Sequence, residues 1–259
     1  MIQSVDRAAR ILKELSGGSR RFGVSELSNR LGLAKGTVHG LLRTLLDHGF
    51  VEQDPETDKY QLGPALLEFS SSYLDLSQLR TRSLAWSEML ATKSDEAVRV
   101  GTLHAHGVLV VHHVFRPDSS LQILEVGAVL PMHATALGKA VLAYMPEPAQ
   151  QELIARGLPR LTGRTLSTAE ALRRNLRLVR EQRYAVESEE AVLGEGGVAA
   201  PIFDRSGAVV GAIGIAGAQE RVAGNEESVP RLAEFVTEAA RGVSRDLGAA
   251  RWPPLAPIS

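Results

Sequence analysis

The chain has no cysteine, an absence that removes disulfides, thiolate nucleophiles and cysteine-based zinc sites together. Nor does any apolar run approach the roughly 18 residues that a membrane helix requires, so no membrane partner is expected. The N-terminus, MIQSVDRAARILKEL, sets Asp6 and Glu14 among helical apolar positions and has no continuous apolar core. It predicts a cytoplasmic protein without a signal peptide. No nucleophile stands beside a base in a catalytic pattern, and the expectation is of no enzyme activity and no cofactor.

Net charge is also nearly absent, at −1 over 259 residues. That sum hides an asymmetry, because residues 1–51 hold eight basic and four acidic side chains, a local net of +4. With 44% hydrophobic and 23% charged residues, the composition is that of an ordinary globular protein of one large or two smaller domains.

From Ser4 to Leu15 the residues Val5, Ala8, Ala9, Ile11, Leu12 and Leu15 recur at three and four positions and stop at Gly17-Gly18, the pattern of one amphipathic helix. Ser25 is placed as the N-cap of a short second helix that carries Leu27 and Leu31 and stops at Gly32. The third helix, in LAKGTVHGLLRTLLDH, buries Val38, Leu41, Leu42, Leu45 and Leu46 on one stripe. Its other face sets out Lys35, Gly36, His39, Gly40, Arg43 and Thr44. Two glycines in a helix cost about 1 kcal/mol each against alanine, so something must come close to that face.

FVEQDPETDKYQLG then reads as a hairpin about residues 54–58. Three helices and a hairpin make a winged helix-turn-helix, whose recognition helix presses its N-terminal half into the major groove of double-stranded DNA. Ser25, Lys35, Gly36, Thr37, His39, Gly40, Arg43 and Thr44 are the predicted contacts. The side chains reach phosphates or base edges, and the glycines supply clearance.

Beyond residue 63, Pro64 opens a linker helix, ALLEFSSSYLDL, followed by an amphipathic run from Gln78 to Ala91. AVRVGTLHAHGVLVVHHV predicts a hairpin with Gly107 supplying its turn, and a helix follows from about Ala136. Thr168 to Gln182 is a further helix with Ala169, Leu172, Leu176 and Val179 inward. RYAVESEE, GGVAAPIFD and AVVGAIGIAG are β-rich, and a helix after Pro230 closes the chain. Without strict βαβ alternation the class is α+β. The expected domains are 1–63 for DNA binding, 64–77 as linker helix, 78–250 as a second domain, and 251–259 as a disordered or loosely docked tail.

QSVDRAARIL, LAKGTVHGLLRTLLDHGFVEQD, YQLG, MHATALGKAVLA, RYAVESEE and GVAAPIFDRSGAVVGAIGIAG together resemble the IclR family of bacterial transcription regulators over essentially the whole chain. The resemblance implies a winged helix-turn-helix, a linker helix and a GAF-like effector-binding domain, assembled as dimers or tetramers on DNA. RRFGVSELSNRLGLAKGTVHG, DKYQLG, YLDLSQLR and VLVVHHVFRPDSS look most like the glycerol-operon repressors of actinobacteria. That implies a repressor released from its operator by glycerol or glycerol 3-phosphate.

The resemblance also implies an effector pocket. Carried onto this chain it comprises Thr135, Ala136, Leu137, Gly138, Glu187, Gly197, Gly214 and Ala216, with His113 as a further candidate. Family members that bind small keto acids tend to carry Asp, Cys, Ser and Ser where this chain has Glu187, Gly197, Gly214 and Ala216, so a keto-acid effector is not expected. The small residues are expected to enlarge the cavity. The amides of Ala136, Leu137 and Gly138, at a helix start, are expected to be free for an acceptor, while Glu187 accepts from a hydroxyl. An ionised Glu187 about 4 Å from a phosphate would repel it by about 4 kcal/mol, which ranks glycerol above its phosphate.

His104, His106, His112, His113 and His133 fall close together in sequence, but the first two belong to a turn and the next two to opposite faces of one strand. No metal site is expected. Arg116 and Asp118 read as a loop ion pair, and Glu189 and Glu190 as a solvated strand end. Two other functions stand beside the repressor: an activator or repressor of another catabolic operon, such as one for aromatic acids, and an enzyme whose N-terminal helices only mediate assembly.

Overall fold

The computed structural model describes residues 2–17, 21–67, 78–105, 107–118, 122–224 and 228–253. The chain divides into two compact units, residues 1–76 and 77–259.

In the first unit the helices are α1 (Gln3–Ser16), α2 (Val24–Leu31) and α3 (Lys35–Asp47), followed by β1 (Val51–Gln53) and β2 (Tyr60–Leu62). They enclose one core of Ile11, Leu15, Phe22, Leu27, Leu31, Val38, Leu42, Leu45, Val51 and Tyr60. Each such large side chain contributes about 1.5–3 kcal/mol on burial. Three positions of the expected apolar stripes are exposed, Val5, Ala9 and Leu46. The helices are two to four turns long and the core takes only the centre of each stripe.

Ser25 is not a cap. The N-cap of α2 is Gly23, whose amide donates to the Glu26 carboxylate at 2.7 Å. An acceptor three residues in does the capping that the hydroxyl was assigned. The wing is antiparallel, with Val51 opposite Leu62, and Phe22 adds a bridge to Tyr60 on its other side. Asp54 closes the turn by accepting from the amides of Glu56 and Thr57. Residues 65–67 continue as helix; the rest of the linker helix lies outside the described residues.

The second unit is built on a six-stranded antiparallel sheet. Its strands are β3 (Ala97–His104), β4 (Gly107–Val114), β5 (Val129–Pro131), β6 (Ala185–Ser188), β7 (Glu195–Phe203) and β8 (Val209–Ala218), in the order β5-β4-β3-β8-β7-β6. Its helices are α4 (Gln78–Ser94), α5 (Ala136–Leu142), α6 (Glu147–Ala155), α7 (Ala169–Gln182), α8 (Gln219–Val222) and α9 (Ser228–Asp246). α4 and α9 pack on each other and on one face of the sheet, while α5 packs on β7, β8 and α7. Buried Leu172, Leu176 and Val179 of α7 join Ala140, Val141 and Leu142 of α5 in the second core.

The inward face of α4 is not mainly apolar. Ser83, Ser87 and Ser94 are buried there, each hydroxyl donating to the carbonyl four residues back, which satisfies it inside the helix. The β3–β4 turn is also unlike its expectation. The positive φ falls on Ala105, while Gly107 lies within β4, where a β-carbon would stand 2.5 Å from Val129 Cγ1. That glycine admits β5, a strand the hydropathy pattern does not show. His106 lies outside the described residues.

The expected loose tail is docked at its start. Trp252 Nε1 donates to the Pro201 carbonyl at 2.8 Å, and Arg241 lies over the indole ring. Residues 254–259 lie outside the described residues.

Candidate nucleic-acid interface and ligand pocket

Each unit carries one candidate site. On α3, Lys35, Gly36, His39, Gly40, Arg43 and Thr44 are exposed and Thr37 is half-buried; Ser25 is exposed on α2. A β-carbon at Gly36 or Gly40 would meet nothing within 4 Å. Packing within the chain therefore gives no reason for either glycine, and both lower helix stability. Thr44 donates its hydroxyl proton to the Gly40 carbonyl at 3.1 Å, leaving it an acceptor toward any partner.

The basic excess of residues 1–51 is partly spent inside the unit. Arg10 caps the Leu31 carbonyl, Arg21 pairs with Asp54, and Arg30 pairs with Glu14 and lies over the Phe22 ring. Lys35 and Arg43 make no ion pair among the described residues. They are the cations of the α3 face.

In the second unit the expected pocket residues, except Gly138, which packs against the backbone of Pro131 and Met132, converge on the sheet face opposite α4. Register aligns Glu187, Gly197, Ala216 and Ala97 across β6, β7, β8 and β3, and next to them Gly214, Arg99 and His113 across β8, β3 and β4. A small cavity is lined by Arg99, Leu130, Thr135, Ala136, Leu137, Glu187, Gly197, Gly214, Ile215 and Ala216. Its volume is about 20 Å³, room for little more than one water. Arg99 and Ala216 also line a wider hollow of about 340 Å³ that contains His113, Glu125 and Glu195.

The expectation of an enlarged cavity fails for a local reason. A β-carbon at Gly214 would stand 2.6 Å from both Ala199 Cβ and the Val198 oxygen, so that glycine lets β8 approach β7. Gly197 does face the pocket, since a β-carbon there would lie 3.3 Å from Ala136 Cβ and 3.5 Å from Glu187 Oε2. The three free amides reduce to two. Thr135 caps α5 by accepting from the Gly138 amide at 3.1 Å.

Glu187 is buried, and its Oε1 accepts from the Ala191 amide at 3.3 Å. Burial pushes its carboxyl up to about 7, opposed by that hydrogen bond and by Lys139. Lys139 itself is fully buried on α5, donating to the Val186 carbonyl at 2.7 Å and pairing with the Glu190 carboxylate. Burial pulls the lysine down and Glu190 up. Glu190 is therefore no solvated strand end. Its carbonyl also accepts from Thr165 at 2.6 Å, while Glu189 pairs with Arg164.

The histidines separate as strand alternation requires. His112 faces Arg80 and Glu88 of α4, and His113 faces Arg99. His104 ends β3, and His133 bonds the Pro159 carbonyl. Among the described residues no group of three potential ligands could hold a metal ion. Arg116 and Asp118 form the expected ion pair at 2.9 Å.

Sequence reasoning misses Arg99 and Lys139 as site residues. A signal existed for Arg99, because in AVRVGTLH it alternates with Val98 and Val100, which are buried on the other face.

Comparison with known proteins covers both units. The chain matches the IclR helix-turn-helix domain over residues 4–55 and the bacterial transcriptional regulator IclR C-terminal domain over residues 71–245. It is 49% identical over 251 residues to the glycerol operon regulatory protein of Streptomyces coelicolor, covering 97% of this chain and 98% of that one. The protein of the same description from Streptomyces griseus is 48% identical over the same shares. The crystal structure of an IclR transcriptional regulator from Alicyclobacillus acidocaldarius superposes with a TM-score of 0.82 at 29% identity, over 98% of this chain and all of that one. No helix among the described residues is long and apolar enough to cross a membrane. The chain belongs to the IclR family of bacterial transcription regulators, with a helix-turn-helix unit for DNA and a C-terminal effector domain.

Proposed function

We propose that this regulator represses a glycerol catabolic operon and is released from its operator by glycerol or glycerol 3-phosphate. The observation that carries the reading is 49% identity, over nearly the full length of both chains, to a protein described as a glycerol operon regulator. The α3 face supports the DNA half. It is exposed and cationic, and its glycines are open to an approaching backbone. The pocket lining supports a small hydroxylated effector that extends into the adjoining hollow of about 340 Å³, since Glu187, the acidic side chain of the lining, accepts from hydroxyls and the other lining groups are small or apolar apart from Arg99 and Thr135. The protein works in the cytoplasm as a homo-oligomer, because one winged helix makes a short contact and such operators are pseudo-palindromic.

The test is a mobility-shift titration with the promoter region of a glycerol catabolic operon from the same genome, with and without each compound, alongside light scattering. Retarded DNA that either compound releases, and a mass of at least a dimer, are expected. Retardation that neither compound alters would overturn the glycerol reading, and DNA released by small aromatic acids would replace it.

A further inference from the structure

Among the arginines around the wide hollow, Arg99 is held differently from the rest. Arg221 grips Glu96 through two hydrogen bonds of 2.6 and 3.0 Å, and Arg116 is paired with Asp118. Both belong to closed networks at the Glu96 end. Arg99 pairs with Glu125, from the segment between β4 and β5, and both side chains are half-buried. Arg99 also lines the small pocket that contains Glu187.

Glu125 is poorly suited to that place. Burial pushes its carboxyl up, Glu195 adds a like charge, and Arg99 opposes them. Its backbone is held separately, the Glu125 amide donating to His113 Nδ1 at 3.2 Å. That bond puts the ring proton of neutral His113 on Nε2. Nε2 is buried and has no partner among the described residues. The hollow therefore brings together a guanidinium whose counter-ion comes from a connecting segment and a buried donor awaiting an acceptor.

We infer that the Glu125 carboxylate is a tethered stand-in for the anionic group of the effector. The effector is then a small polyol carrying a phosphate ester. Its hydroxyls face Glu187, and its phosphate takes Glu125's place on Arg99 and accepts from His113 Nε2. The inference rests on the effector reading above and extends it. Glu187 and Arg99 stand three strand spacings apart, about 14 Å between backbones. The floor between them is Gly197, Ala216 and Gly214, so two long side chains and a ligand of a few atoms bridge it. Displaced, Glu125 removes the side-chain tie between Arg99 and the segment that leads into β5, whose backbone stays bonded to β4 and which precedes the pocket helix α5. The apparent conflict between a phosphate and Glu187 is resolved by placing them at opposite ends of the row.

The test is calorimetric titration of the full chain with glycerol, glycerol 3-phosphate and inorganic phosphate, using wild type, Arg99→Gln, Arg99→Lys and Glu125→Gln, each checked for native circular dichroism. Arg99→Gln is expected to weaken glycerol 3-phosphate by about tenfold or more, the loss of a charge-assisted hydrogen bond, and to leave glycerol unchanged. Arg99→Lys should retain part of the affinity. Glu125→Gln, which removes the internal competitor, should strengthen the phosphate ester and not glycerol. Unchanged or weaker ester binding in Glu125→Gln, or an ester indifferent to Arg99→Gln, overturns the inference while leaving the operon reading intact. If wild type binds neither glycerol compound, the glycerol reading fails by itself. Inorganic phosphate then decides this inference: binding to Glu125→Gln that is lost in the double variant with Arg99→Gln supports it, and no binding overturns it.

Discussion

The Lys139 ammonium lies 2.7 Å from the carbonyl oxygen of Val186, the residue before Glu187. One fully buried cation thus joins the helix that walls the pocket to the strand that carries its acidic group, and its second partner is Glu190. A buried pair of this kind is costly to break because the survivor keeps its charge without a counter-ion. Lys139→Met is therefore expected to destabilise the second unit by about 3–5 kcal/mol, measured by urea denaturation. Adding Glu190→Gln should recover part of the loss. A double variant as unstable as Lys139→Met alone would show that the lysine acts through Val186 rather than through the pair.

Glu187 supplies a pH prediction. Its folded-state carboxyl is raised to about 7, so between the ordinary carboxylate range and that value the folded chain holds a proton that the unfolded chain has released. Stability must then fall as pH rises through this window. The wild type should lose stability relative to Glu187→Gln between about pH 4.5 and pH 7. The loss is at most about 3 kcal/mol, because each pH unit separating the folded and unfolded values is worth about 1.36 kcal/mol. Parallel stability curves for the two proteins would place the carboxylate in a more polar setting than its burial implies.

The first unit is legible in sequence because each helix has a single apolar stripe and its stops are glycines. Ile11, Leu15, Leu27, Val38 and Leu42 are where periodicity puts them. The expected α+β class and the pocket positions Glu187, Gly197 and Ala216 also converge. What stays hidden depends on contacts distant in sequence. Lys139 and Glu190 are each ordinary surface residue types, and only the packing of α5 against β6 makes them a buried pair. β5 has three residues with Val129 exposed, too short and too wet for alternation to mark. Gly214 and Gly107 serve neighbouring strands, which no local pattern reveals.

Gly214 gives a prediction against simple pocket conversion. Serine there, the residue of the keto-acid pattern, needs a β-carbon 2.6 Å from Ala199 Cβ. The strands must part, at about 1–3 kcal/mol for overpacking. Gly214→Ser is expected to lower the thermal midpoint without creating keto-acid binding, and Ala199→Gly not to restore it, because the Val198 oxygen, also 2.6 Å away, is backbone and stays in place. A single variant as stable as wild type in a thermal melt would contradict the close approach of β7 and β8.

The two glycines of α3 set stability against function. A β-carbon at Gly36 or Gly40 meets nothing within 4 Å among the described residues, and alanine is favoured over glycine in a helix by about 1 kcal/mol. Gly40→Ala should therefore raise the thermal midpoint of the first unit by several degrees, about 4–8 °C per kcal/mol for a domain of this size. On operator DNA the same methyl occupies the space through which the recognition helix approaches the groove, so affinity should fall. Arg43→Ala is the companion. It should cost about 1–3 kcal/mol with altered sequence preference if it meets a base, or reduce the salt slope by about 1 if it meets a phosphate. Gly40→Ala melting higher while binding operator as tightly as wild type would mean that the DNA backbone does not come close at that turn, and the interface would then have to be sought on another face of the unit.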